Sequence, residues 1–123
     1  MNTRTTRNPP QPDAPPHLEP ETRRWWSDVV SRWELEAHHR MLLTLAGEAW
    51  DRCAEARAII AAEGLTVETR DGGQKLHPAV RVESDCRLAF ARLLRELDLD
   101  LDPPAEAKRP APLRSVRGGS SAA

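Results

Sequence analysis

The chain has 123 residues, 39% of them hydrophobic and 30% charged, with a mean hydropathy of −0.62. Its longest apolar run, Ala58-Ile59-Ile60-Ala61-Ala62, falls far short of the roughly 20 residues that span a bilayer, which excludes a membrane span. The formal charge of −1 is unevenly spread, with an acidic body between basic ends, and this excludes a general polyanion binder.

Residues 1–17 carry Arg4 and Arg7 against Asp13. Residues 18–102 carry 12 basic and 17 acidic side chains. Residues 103–123 carry Lys108, Arg109, Arg114 and Arg117 against Glu106. Any nucleic-acid contact must therefore use local basic patches or the two ends. Ten of the 11 prolines also fall near the ends, six from Pro9 to Pro20 and four from Pro103 to Pro112. Such stretches bury too little apolar surface to offset their ordering entropy. The expectation is a disordered arm over 1–17, a helical domain over 18–103 and a disordered basic tail over 104–123. The opening Met1-Asn2-Thr3-Arg4 leads into prolines rather than an apolar stretch, so no secretory signal is expected.

A first helix is predicted to begin near Pro20, whose fixed φ suits a first helical turn. Trp25, Val29 and Trp33 recur at helical spacing with Trp26 and Val30 beside them, which makes one apolar face. That face is either core or an oligomer or partner interface, where tryptophan is enriched. Glu36 to Glu63 reads as a long second helix with apolar positions from Met41 through Trp50 and Cys53 to Ile60. Gly64 stands where a left-handed cap would end it. Gly47 and the many alanines permit close helix approach. Carboxylates such as Glu48 and Asp51 sit at i, i+4 spacing from Arg52 and Glu55, and read as surface patterns.

The period then changes. Leu65, Val67 and Thr69 alternate with polar residues and Asp71-Gly72-Gly73 supplies a turn, so a short β-hairpin or loop is expected. The turn lacks the pattern of a phosphate-binding loop. His77-Pro78 opens a third helix with an apolar face from Val82 to Leu97. The aspartates at 98, 100 and 102 lack the glycine and distal glutamate of a calcium loop. The predicted fold is mainly α: a hairpin or bundle of about three helices, with a short β-hairpin or loop between the second and third.

Cys53 and Cys86 form no metal-ligand pattern with each other or with His17, His38, His39 and His77. They read as free thiols on apolar helix faces, as in a reducing cytosol, although a bridge between packed helices stays open. No metal site and no cofactor are expected. Nothing assembles a nucleophile with its base, so the chain reads as a non-enzyme.

The order of features carries more than any single one. The segment His17-Leu18-Glu19-Pro20-Glu21 leads to Arg24-Trp25-Trp26. The long helix passes Cys53-Ala54-Glu55-Ala56 and reaches Glu63-Gly64-Leu65. Then come Gly72-Gly73-Gln74-Lys75-Leu76-His77-Pro78-Ala79 and Arg92-Leu93-Leu94-Arg95-Glu96-Leu97-Asp98-Leu99. This order resembles the P27 family of bacteriophage terminase small subunits over about residues 15–104. Where that family closes on Leu-Gly-Leu-Thr-Pro, this chain has Leu97-Asp98-Leu99 and reaches proline at Pro103.

The resemblance implies a non-catalytic DNA-packaging protein of a phage or prophage, working in the bacterial host cytoplasm. Such subunits form homo-oligomeric rings and bind double-stranded viral DNA. They also regulate a terminase large subunit, which holds the ATPase and nuclease. Phosphate contacts would then come from Arg23, Arg24, Arg32 and Arg40, or from Lys108, Arg109, Arg114 and Arg117. Subunit contacts would draw on Trp25, Trp26, Val29, Trp33 and Trp50. The competing reading is a helical protein-interaction module, adaptor-like or antitoxin-like, that binds through the tryptophan face.

Overall fold

A computed structural model describes residues 11–105. The elements run α1 (Pro20–Arg32), α2 (Ala37–Glu63), β1 (Thr66–Glu68), β2 (Gln74–Leu76) and α3 (Pro78–Leu97). The mainly helical reading holds, with three helices and a hairpin between the second and third. What the sequence implied for residues 1–10 and 106–123, the basic tail included, lies outside the described residues.

Local chemistry sets each boundary. Pro20 and Pro78 occupy first-turn positions, where a missing N–H costs nothing. His77 caps α3: its Nδ1 accepts from the Ala79 N–H at 3.0 Å, and its Nε2 lies 2.8 Å from Glu63 Oε1. The end of α2 and the start of α3 are thereby tied together. Glu36 and His39 make a reciprocal capping box at the start of α2. Gly64 ends that helix with φ of 90°, a conformation that disfavours a side chain. The strands pair antiparallel in the register Thr66↔Leu76, Val67↔Lys75 and Glu68↔Gln74.

α2, about 40 Å long at 1.5 Å per residue, is the spine of the molecule. α3 returns antiparallel along it, from the Glu63–His77 contact at one end to the Trp50–Phe90 ring contact at 5.0 Å. α1 packs on the N-terminal half only. There the Trp26 Nε1–H donates to Thr44 Oγ1 at 3.1 Å and the Thr22 hydroxyl donates to Asp51 at 2.6 Å.

The molecule thus has two unlike ends. One is a three-helix bundle whose core holds Leu18, Trp25, Trp26, Val29, Leu43 and Phe90. The other is a two-helix arm tipped by the hairpin, where the buried hydrophobics are the small residues Cys53, Ala56 and Ala79. Contacts of the bundle reach beyond residues 18–103 on both sides. Ala14 packs against the core, His17 Nε2 meets Glu48 Oε2 at 2.7 Å, and Pro104 is buried. Proline-rich chain can pack once a tryptophan cluster offers it an apolar surface.

Candidate functional site

α1 has a core-facing side and a solvent-facing side, set by its 3.6-residue period. Inward go Thr22, Trp25, Trp26, Val29 and Val30. Trp25 is 6.1 Å from the Phe90 ring centroid, and its Nε1–H donates to the Asp102 carbonyl at 2.7 Å. These bonds satisfy the indole N–H groups of Trp25 and Trp26 inside the chain itself.

That geometry places part of the tryptophan face in the core, one of the two readings the sequence left open. Trp25, Trp26 and Val29 are buried core residues at 8%, 3% and 1% exposure. They are consumed because α2, α3 and the segment after α3 all cover them. Trp33 and Trp50 are half-buried and pack on the core edge. The Nε1–H of Trp33 is buried without a hydrogen-bond partner among the described residues.

The outward side of α1 presents Arg24, Ser27, Asp28 and Ser31. It forms one wall of an open groove whose other wall is the segment carrying Gln11 and Ala14. Arg23, also in this groove, donates from Nη1 to the Pro16 carbonyl at 3.2 Å and meets no carboxylate among the described residues. Arg24 pairs with Glu21 at 2.8 Å and Arg32 with Asp28 at 2.5 Å. The Asp28 carboxylate holds the Arg32 guanidinium still more firmly protonated than usual. Arg40 sits elsewhere. It donates to the Leu35 carbonyl at 3.0 Å and borders a shallow apolar patch with Ala37, Met41, Thr44 and Leu45.

The structure therefore brings Arg23, Arg24 and Arg32 onto one helix and leaves Arg40 apart. Lys108, Arg109, Arg114 and Arg117 lie outside the described residues. Sequence reading passed over Gln11, Ser27 and Ser31, which share the groove with Arg23 and Arg24. The signal was present, since 23, 24, 27 and 31 are spaced by one, three and four residues around a helix.

Two carboxylates read as surface pairs do other work. Asp51 accepts from the Glu19 N–H at 2.9 Å as well as from Thr22, closing the first turn of α1 from a neighbouring helix. Glu48 turns to His17. Both are long-range contacts, which helical spacing alone does not encode.

Between α2 and α3, Glu83 accepts from Arg87 Nη2 at 3.1 Å, from Arg57 Nε at 3.4 Å and from the Cys53 thiol at 3.5 Å. The hydrogen bond from Arg87 leads in holding the Glu83 carboxyl below its usual range. Burial pushes the Cys53 thiol up, away from the reactive thiolate. Both cysteines are free, Cys53 buried and Cys86 half-buried. Among the described residues no group of three or more His, Cys, Asp or Glu side chains is placed to hold a metal ion. No helix of the described residues is long and apolar enough to cross a membrane.

No curated protein and no solved structure matches the sequence significantly. The family of phage terminase small subunits does, over residues 22–112, a span that takes in α1 from Thr22 onward and all of α2, the hairpin and α3. The chain belongs to the phage terminase small-subunit family.

Proposed function

We propose that this chain is the non-catalytic small subunit of a phage DNA-packaging motor, which assembles into a homo-oligomeric ring, binds double-stranded viral DNA and regulates a terminase large subunit. The family match across nearly all of the helical body carries this reading. The host cytoplasm is where such a motor would work.

Three physical features support it. The folded body is small enough that association is a reasonable source of further burial. With Trp25, Trp26 and Val29 used internally, subunit contacts must draw on other side chains. Met41 at 68% exposure, Leu45 at 49% and Leu88 at 57% remain open on the helices, as do Leu65, just before the hairpin, and Leu76, at its end, both at 59%. Finally, a ring repeats each weak basic patch many times, and this avidity offsets the acidic body of one subunit.

The test begins with native mass by light scattering across a range of protein concentration, followed by duplex binding at several salt concentrations. The reading expects a discrete assembly of many subunits whose affinity falls steeply with salt, by about −0.9 in log–log slope per phosphate neutralised. A monomer or dimer without DNA affinity even at low salt would overturn it.

A further inference from the structure

We infer that Cys53 and Cys86 are an opposed dithiol that closes into a disulfide under peroxide and locks the two-helix arm. The pairing follows from the register of α2 against α3. Trp50 faces Phe90, Arg57 faces Glu83 and Glu63 faces His77, so each step along α2 is matched by an equal step back along α3. In that register Cys53 stands level with Arg87, which is exposed, and its neighbour Cys86 is the half-buried one of the two. Ala79, Glu83, Cys86 and Phe90 recur at steps of four, three and four, along the single side of α3 that meets α2.

The sulfur positions agree with that register. Cys53 Sγ lies 3.8 Å from the Glu83 carbonyl oxygen. A helical side chain covers the turn on the N-terminal side of its own Cα, which for Cys86 is the turn that starts at Glu83. The Cys86 sulfur is thereby directed to the place where the Cys53 sulfur sits. Burial leads in raising the Cys53 thiol, and a charge on Cys86 adds to it, so the two sulfurs are within electrostatic reach. A disulfide spans Cα atoms about 4.4–6.8 Å apart. Helix axes about 8–10 Å apart, with Cα atoms about 2.3 Å from each axis, put facing positions in that range. Ala56, about one turn from Cys53, is buried too, and its small side chain favours close approach.

Exposure divides the chemistry between the two thiols. Cys53 is buried, whereas Cys86 is half-buried and open to a small oxidant. The Cys86 thiolate attacks hydrogen peroxide and breaks its O–O bond. The sulfur gains one oxygen as a sulfenic acid, and the released hydroxide takes up the thiol proton as water. Cys53 then gives up its proton, which its hydrogen bond already directs at Glu83 Oε2, and its sulfur displaces the hydroxyl from Cys86. The S–S bond forms as a second water leaves, so two thiols are oxidised while one peroxide is reduced to two waters. Glu83 loses one hydrogen-bond donor and keeps Arg57 and Arg87. The loop closed between 53 and 86 holds the distal turns of α2, the hairpin and the first turns of α3, which together are the arm.

The test exposes the full chain, in its native assembly, to a small excess of hydrogen peroxide. Remaining thiols are then alkylated in denaturant and the product is mapped by mass spectrometry. The expected product is a peptide pair linked through Cys53 and Cys86 of one chain, which dithiothreitol separates. In the oxidised chain, amide exchange of the arm should slow about tenfold or more with the bundle unchanged, and the thermal midpoint should rise by about 4 °C or more. Cys53→Ala should leave Cys86 as a sulfenic acid that dimedone labels, and Cys86→Ala should leave Cys53 unoxidised at the same dose. Circular dichroism shows whether each variant keeps its helices, and the mapping of the unaltered chain decides the pairing even where a variant unfolds. Both thiols left free, Cys86 oxidised beside a free Cys53, or links between separate chains would each overturn the pairing. A linked chain whose arm exchanges as fast as before overturns the lock.

Discussion

Asp98 shows how much one residue can explain. It ends α3 at φ 53° and ψ 40°, the left-handed conformation, with its N–H bonded to the carbonyls of Leu94 and Arg95. A Cβ is unfavourable in that conformation, which is why glycine commonly ends helices this way. The carboxylate is also misplaced, because the last carbonyls of a helix already present partial negative charge. The departure from Leu-Gly-Leu at Leu97-Asp98-Leu99 therefore retains the turn while losing the residue best suited to it. Asp98→Gly should stabilise the protein by about 0.5–1 kcal/mol, read as a higher urea midpoint with unchanged m-value. Asp98→Val should do the opposite. The sequence displayed the departure, but only the backbone angles show what it costs.

The elements were legible where punctuation was strong. Pro20, Gly64 and Pro78 mark boundaries that the structure keeps, because ring constraint and positive φ act locally. What covers an apolar face is not local, so the tryptophan stripe left core and interface open until α2 and α3 were placed against it. The groove beside α1 was half legible. Its arginines stood out by charge, whereas Ser27 and Ser31 drew no notice until their shared face was seen.

Packing between elements yields two predictions. Gly47 lies where a Cβ would come 3.1 Å from Thr22 and 3.2 Å from Leu18, so α1 and the segment before it approach α2 over a bare backbone. Gly47→Val should cost about 1–3 kcal/mol by overpacking that contact, despite removing a helical glycine. Thermal unfolding of the variant checks this. Between α2 and α3, the lowered Glu83 pKa fixes the sign of an acid effect. A carboxyl whose folded pKa is depressed contributes stability that is present at neutral pH and is lost as pH falls below about 4.5, through the folded value. Glu83→Gln should lose about 1–2 kcal/mol at pH 7 and show a shallower decline on acidification, measured by urea titrations between about pH 3 and 7.

On the scale of the whole molecule, the division into bundle and arm decides where stability resides. Large buried side chains concentrate at one end, and the arm relies on small ones, on the Glu83 cluster and on the His77 cap. Regions with few buried apolar contacts open first. Backbone amides of the hairpin and of the adjoining turns of α2 and α3 should exchange hydrogen faster than those around Leu43 and Ala46, which are fully buried. Equal protection throughout would show that the arm is as firmly held as the bundle.

The tryptophan cluster also makes the protein spectroscopically lopsided. All four tryptophans lie between residues 25 and 50, the chain contains no tyrosine, and the single phenylalanine sits among them. Ultraviolet emission therefore originates entirely in the bundle, leaving the arm dark. A chain that opens its arm while keeping its bundle will lose helical ellipticity before its emission shifts, and the gap between the two curves measures the independence of the two ends.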